Sequence, residues 1–218
     1  MADFGLAWVN PAPFIKPANV INFAKSCEAM GCHSMWSVDF LAYDNLEPLT
    51  ILAAAAGVTQ RIRLGTSVLL GNLRHPSQLA KIIATLDFIS NGRVTLGLGL
   101  GSRESDYKAV GIEYEHRGSR AVEHVQLMKR LWTEDNVTHK GRFFNLENLS
   151  IGPRPIQKPH PPFGRAAAQR PRSSAPVVGP TATSAGILRS QIFRLYGKKL
   201  PAMPKRLAET RARSPKPV

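Results

Sequence analysis

The chain has 218 residues, enough for one domain or two small ones, and carries 29 Lys and Arg against 15 Asp and Glu, a formal net charge of +14. Two cysteines, Cys27 and Cys32, exclude a disulfide framework, and no apolar run is long enough to span a bilayer. Met1 leads to Asp3 rather than to a basic stretch and an apolar core, so no signal peptide is expected and the chain reads as cytoplasmic.

In chain order, residues 4–9 form a short apolar strand broken by the Asn10-Pro11-Ala12-Pro13 loop. Residues 17–30 read as a helix with Val20, Phe23, Ala24 and Cys27 on one stripe, stopped by Gly31; Cys27 is expected to be a packed thiol. Residues 33–38 give a second strand and 48–58 an Ala-rich helix with proline in its first turn. Residues 62–70 are a third strand. Residues 76–89 place Leu79, Ile82, Ile83, Leu86 and Ile89 at helical spacing, closed by Asn91-Gly92. Residues 94–100 form a fourth strand, 117–132 a fourth helix, and 137–146 a hairpin turning at Gly141. Strand and helix alternate four times, which predicts an α/β fold with the four strands parallel and in sequential order.

The charge is unevenly placed. Residues 1–163 carry 17 basic and 14 acidic side chains, the balance of an ordinary soluble enzyme. Residues 164–218 carry 12 and 1, with seven prolines and little hydrophobic periodicity. That tail lacks the apolar surface to offset the entropy of ordering, and disorder is expected except for local helix near residues 187–197.

Five motifs then stand in register: Gly65-Thr66-Ser67-Val68-Leu69-Leu70, Arg74-His75-Pro76, the helix from Ala80 to Asp87, the Ser90-Asn91-Gly92-Arg93 turn, and the glycine-rich run Gly97 to Gly101. Over residues 3–163 this series resembles the luciferase-like flavin and deazaflavin oxidoreductases. The resemblance implies a (β/α)8 TIM barrel, incomplete here after about four βα units and the hairpin. It implies coenzyme F420 or FMN as cofactor, and hydride transfer or monooxygenation of a small organic substrate, with F420 preferred. In such a barrel the site lies at the C-terminal ends of the strands. The resemblance therefore places cofactor binding at Asp39, Ser67, Val68, Gly99, Leu100, Gly101 and Ser102, and a substrate pocket at Trp8, Asn10, Phe40 and Leu70. It also implies a cis peptide between Ser67 and Val68, backing the isoalloxazine ring.

Read alone, these residues leave alternatives open. The glycine run could be a dinucleotide fingerprint, but the third glycine that motif needs is replaced by Ser102, and the run follows a fourth strand rather than a first. Its glycines serve either close strand packing or an approach of the loop backbone to the cofactor chain or phosphate; the resemblance favours the second. Asp39 could meet a flavin edge or cap its loop. Arg74-His75-Pro76 could act on a substrate or start a helix. The remaining histidines show no ligand spacing and no metal is expected. Glu104 and Asp106 suit the start of a helix. Three departures from the family matter. Phe40 replaces a proton-handling histidine. Ser102 replaces the catalytic Glu of the sugar-phosphate dehydrogenases. Leu100 replaces the flavin-phosphate Arg of bacterial luciferase. No catalytic acid or base is identified.

The family's next strand opens Pro-Pro-x-Trp-x-Gly-Gly, whereas here Pro161-Pro162-Phe163 leads to Gly164-Arg165 and the pattern is lost. Back-translated with GC-rich codons and read one base later, residues 163–184 permit a string containing Trp-x-Gly-Gly and Ala-Asp-Gly-Tyr. The tail is therefore expected to be a frameshift product, and the chain catalytically inactive with its first and fourth strands as open edges. The competing reading is a non-enzymatic binding protein whose basic tail contacts nucleic acid or another polyanion, though only Phe193 and Tyr196 interleave its charges. A small-molecule substrate, non-specific contact with nucleic acid and a homo-oligomer complete the expected partners.

Overall fold

Proline at a helix start and glycine past its end set the frame of this fold. The computed structural model describes residues 5–8, 17–42 and 45–164. Strand β1 (Gly5–Trp8) is followed by α1 (Pro17–Ala29), β2 (Ser34–Ser37), α2 (Pro48–Val58) and β3 (Arg63–Thr66). A 3-10 turn (Gly71–Leu73) precedes α3 (Pro76–Ile89) and β4 (Val94–Gly97). Then come α4 (Glu104–Ala109), α5 (Arg117–Thr133), β5 (Val137–Lys140), β6 (Asn145–Leu149) and β7 (Phe163–Gly164). Three helices begin at proline, whose missing N–H and fixed φ suit the first turn. Gly31 at φ 74° ends α1, with its own N–H bonded to Glu28 O and that of Cys32 bonded to Cys27 O. Asn91 at φ 55° and Gly92 at φ 75° do the same for α3.

The sheet runs β1–β2–β3–β4–β7 with every pairing parallel, as the alternation predicted for the first four. Met35, Leu64, Val94 and Leu96 face the helices and are buried among Ala24, Leu52, Ile83 and Leu127. On the opposite face Trp36 lies across Gly5 and Gly65, where a Cβ would meet its ring at 2.7 and 2.3 Å. Cys27 is fully buried on the α1 stripe, and burial beside Cys32 pushes its thiol up to about 12. It is the packed, unreactive thiol the stripe implied. No helix of the described residues is long and apolar enough to cross a membrane.

The structure corrects the sequence reading at three places. The third and fourth strands end at Thr66 and Gly97, short of residues 70 and 100, because the chain leaves the ladder at Ser67–Val68. The hairpin reaches Leu149 rather than residue 146. Strand β4 is not an edge: Phe163–Gly164 pairs with Leu96–Gly97, and Leu96 N donates to Pro162 O at 2.9 Å. The proline-rich stretch before β7 is held by Gln157, which donates to both Asp87 oxygens at 2.9 and 2.7 Å and to Val94 O at 2.8 Å. Buried Asp87 on α3 thus fixes where the strand enters the sheet. The expectations for the tail at residues 165–218, and for Asn10, lie outside the described residues.

Candidate functional site

At the C-terminal edge of the sheet, β2 and β3 are joined by a reciprocal clasp. Asp39 N donates to Val68 O at 3.1 Å, and Leu70 N donates back to Asp39 Oδ2 at 3.0 Å. The same carboxylate oxygen accepts from Arg74 Nη1 at 2.6 Å. Arg74 Nη2 reaches Glu47 Oε1 at 3.0 Å, while Glu47 Oε2 caps α2 through Thr50 N at 2.7 Å. One guanidinium therefore ties the loop after β2, the loop after β3 and the start of α2. The Asp39 carboxylate thus serves the loop after β3 rather than the loop that follows it in the chain.

The Ser67–Val68 peptide is cis, as the resemblance implied. The chain rejoins β4 beyond it: Leu69 N donates to Gly97 O at 2.7 Å and Gly99 N to Leu69 O at 2.9 Å. Glycine is required for this approach, since a Cβ at Gly99 would sit 2.2 Å from Val68 Cγ2. Gly101 adopts φ 72° and packs near Leu70 and Tyr107. The Tyr107 hydroxyl donates to Leu100 O and receives Asn72 Nδ2 at 3.2 Å.

These segments enclose a cleft of about 210 Å³. Asp39, Phe40, Ser67, Val68, Leu70, Gly101 and Ser102 line it, seven of the eleven residues singled out in the sequence. Gly99 and Leu100 do not: Gly99 packs against the Val68 side chain, and Leu100 is 40% exposed. Trp8 ends β1 on the same sheet edge. Sequence reasoning missed Val38 and Asp106 in the lining, which also includes Arg103 at the end of the glycine-rich loop. Arg103 sits 5.3 Å from the centre of the exposed Phe40 ring, a cation–π contact that shapes one lip. A second depression, about 300 Å³, lies between the α4–α5 loop and the hairpin. It is larger but remote from the strand ends, and its Arg120 guanidinium stacks on Phe144 at 4.4 Å. Among the described residues no cluster of His, Cys, Asp or Glu could hold a metal ion.

Behind the clasp, His124 of α5 is buried with Nε2 3.1 Å from Arg74 O. A carbonyl only accepts, so Nε2 carries the proton. Burial, opposed by that hydrogen bond and reinforced by Arg120 and His75, pushes the imidazole down to about 4. An unfolded histidine titrates near 6.5. The unfolded state therefore binds more protons between these values. The stabilisation is full above about pH 6.5 and is lost as pH falls toward 4, amounting to about 3 kcal/mol. His124→Gln keeps an N–H for the Arg74 carbonyl but cannot titrate. Urea unfolding at pH 7 and pH 4.5 should show the wild type losing most of that increment while the variant's loss is smaller. Equal acid losses would remove His124 as the cause.

Residues 4–177 match the family described as luciferase-like monooxygenase, running past residue 163 where the motif resemblance ends. A protein of Amycolatopsis mediterranei named F420-dependent glucose-6-phosphate dehydrogenase is 34% identical over 151 residues, 65% of this chain and 45% of that one. The oxygenase component of a flavin-dependent trigonelline monooxygenase from Acinetobacter baylyi is 30% identical over 153 residues, 68% of this chain and 42% of the relative. Among solved structures, monooxygenase RslO1 from Streptomyces bottropensis superposes with a TM-score of 0.69 at 31% identity, over 74% of this chain and 52% of that one. The coenzyme F420 dependent tetrahydromethanopterin reductase of Methanopyrus kandleri gives 0.61 at 25% identity, over 74% and 49%. The chain spans about half the length of these relatives.

Proposed function

The chain belongs to the luciferase-like monooxygenase family, and from that membership we propose that its parallel sheet is the first part of a (β/α)8 barrel oxidoreductase using coenzyme F420 or FMN. The observation that carries the reading is the clasp around Ser67–Val68. It turns the strand end at Ser67 and Val68 toward a cleft lined also by Phe40, Leu70 and Gly101. Gly101 suits a flat ring: it leaves the backbone bare where a side chain would fill the approach. When bound, such a ring supplies the redox chemistry, and the protein orients it and excludes water. Val68 would back the ring, and the loop at Gly99, Leu100, Gly101 and Ser102 would lie along the cofactor chain. Phe40, Leu70, Trp8 and Asn10 would border a small organic substrate.

Phe40 and Ser102 stand where sugar-phosphate oxidation would need a histidine and a glutamate, so that activity is not carried over from the Amycolatopsis relative. F420 is preferred to FMN because Leu100 offers no charge to a flavin phosphate. The inactivity expected from the sequence is a proposal for the 218-residue polypeptide. It rests on residues 164–218, which carry 12 basic side chains, one acid and seven prolines in place of apolar strands. The test is a fluorescence titration with F420 and with FMN up to millimolar, together with amide exchange. Weak binding of F420 over FMN, with slowed exchange at residues 67–70 and 99–102, is expected. Micromolar or tighter affinity would overturn the inactivity. No binding and no protection by either cofactor would overturn the cofactor site itself.

A further inference from the structure

We propose that Asp106 is a ligand-contacting acceptor, its carboxylate taking a hydrogen bond from a hydroxyl or N–H of the molecule held in the cleft. The inference rests on reading that cleft as a binding site. Asp106 lines the cleft beside Ser102 and Arg103, yet it is only 3% exposed. Its Oδ1 is sealed from solvent and has no hydrogen-bond partner. Asp39, the other buried acid of the lining, makes the contrast, because its Oδ2 receives both Leu70 N and Arg74 Nη1. The next residue, Tyr107, is by contrast satisfied on both sides: it donates to Leu100 O and accepts from Asn72.

Helix capping does not account for Asp106. It is the third residue of α4, where a carboxylate can reach back to the N-cap amide, but Oδ1 makes no such bond. Burying a carboxylate without donors is unfavourable, and an unsatisfied buried group in a folded protein marks strain or function. Asp χ2 is broad, so rotation can present either oxygen to the cleft. An ionised carboxylate only accepts. It therefore recognises a polyhydroxyl chain or a ring N–H, and disfavours a phosphate or carboxylate at the same spot.

Two variants of the full chain test this, Asp106→Ala and Asp106→Asn, each read two ways. A merely structural aspartate predicts that both variants melt lower without ligand. A ligand acceptor predicts a ligand-free melting temperature that is level or higher, and an affinity for F420 or FMN, whichever the wild type binds, weaker by about tenfold or more, as loss of a charge-assisted hydrogen bond implies. Melting several degrees lower in both variants would overturn the proposal. So would unchanged affinity. Should the wild type bind neither cofactor, the functional reading falls, and the ligand-free melting temperatures alone decide Asp106: lower refutes it, level or higher sustains a carboxylate held against stability.

Discussion

Replacing Arg93 by alanine is expected to lower the folding stability by about 3–5 kcal/mol, from at least three orphaned carbonyls at roughly 1–3 kcal/mol each with some relaxation. Arg93 is buried and faces main-chain oxygens from three segments. Nε donates to Ser90 O at 2.6 Å, Nη1 to Ile62 O at 3.0 Å, and Nη2 to Ala56 O and Thr59 O at 3.1 and 3.0 Å. Nη1 also reaches Thr59 Oγ1 at 2.9 Å. Ala56 and Ser90 lie at the C-terminal ends of α2 and α3, where carbonyl dipoles favour a cation. Burial lowers the guanidinium's affinity for its proton, yet the carbonyls keep the charge in place. Lysine should restore only a small part, since a point charge cannot span a planar fork's acceptors. Urea unfolding of Arg93→Ala and Arg93→Lys checks this; a loss under about 1 kcal/mol in the alanine variant would show that the carbonyls find other partners.

The fold was legible because its punctuation is local. Pro17, Pro48 and Pro76 mark helix starts, and Gly31 and Asn91-Gly92 mark ends, so each segment could be placed from its neighbours alone. Strand β7 was not legible, because a two-residue strand after a proline run has no periodicity; its position comes from Gln157 gripping Asp87. In the site, Asp39, Ser67, Val68 and Ser102 were found because strand ends of a parallel sheet converge on one edge. Asp106 was read as a helix-start acid because sequence does not tell a solvated carboxylate from a sealed one. Arg74 was assigned to a loop or a helix start, and its bridge between Asp39 and Glu47 exists only once three loops meet. The same strand-end argument singled out Gly99 and Leu100, which are not in the lining of the cleft.

Alanine at Gly97 and at Gly99 should fail differently. At Gly97 the new Cβ would lie 2.2 Å from Thr66 O, a main-chain atom. Gly97 N accepts no displacement freely, since it donates to Thr66 Oγ1 at 3.0 Å while Gly97 O receives Leu69 N at 2.7 Å and Thr66 Oγ1 at 3.0 Å. Relief must pull β4 from β3 and break several of these bonds, at roughly 1 kcal/mol each plus strain, so a loss of about 3–5 kcal/mol is expected. That is a large share of a typical domain's stability. At Gly99 the clash is with Val68 Cγ2 at 2.2 Å and Cβ at 3.1 Å, a side chain that is stiff about χ1. Gly99→Ala should therefore push Val68 into the cleft, weaken ligand binding and cost less stability than Gly97→Ala. Trimming Val68 to alanine removes the atom in the way. The double variant Gly99→Ala with Val68→Ala should recover most of the stability lost in Gly99→Ala, a positive coupling in a double-mutant cycle. The same trimming should leave Gly97→Ala unrescued, because no side chain blocks that position. Denaturant melts of the five variants decide it. Equal rescue of both glycine sites, or of neither, would show that the close approach of β3 and β4 does not depend on these two glycines in the way the geometry requires.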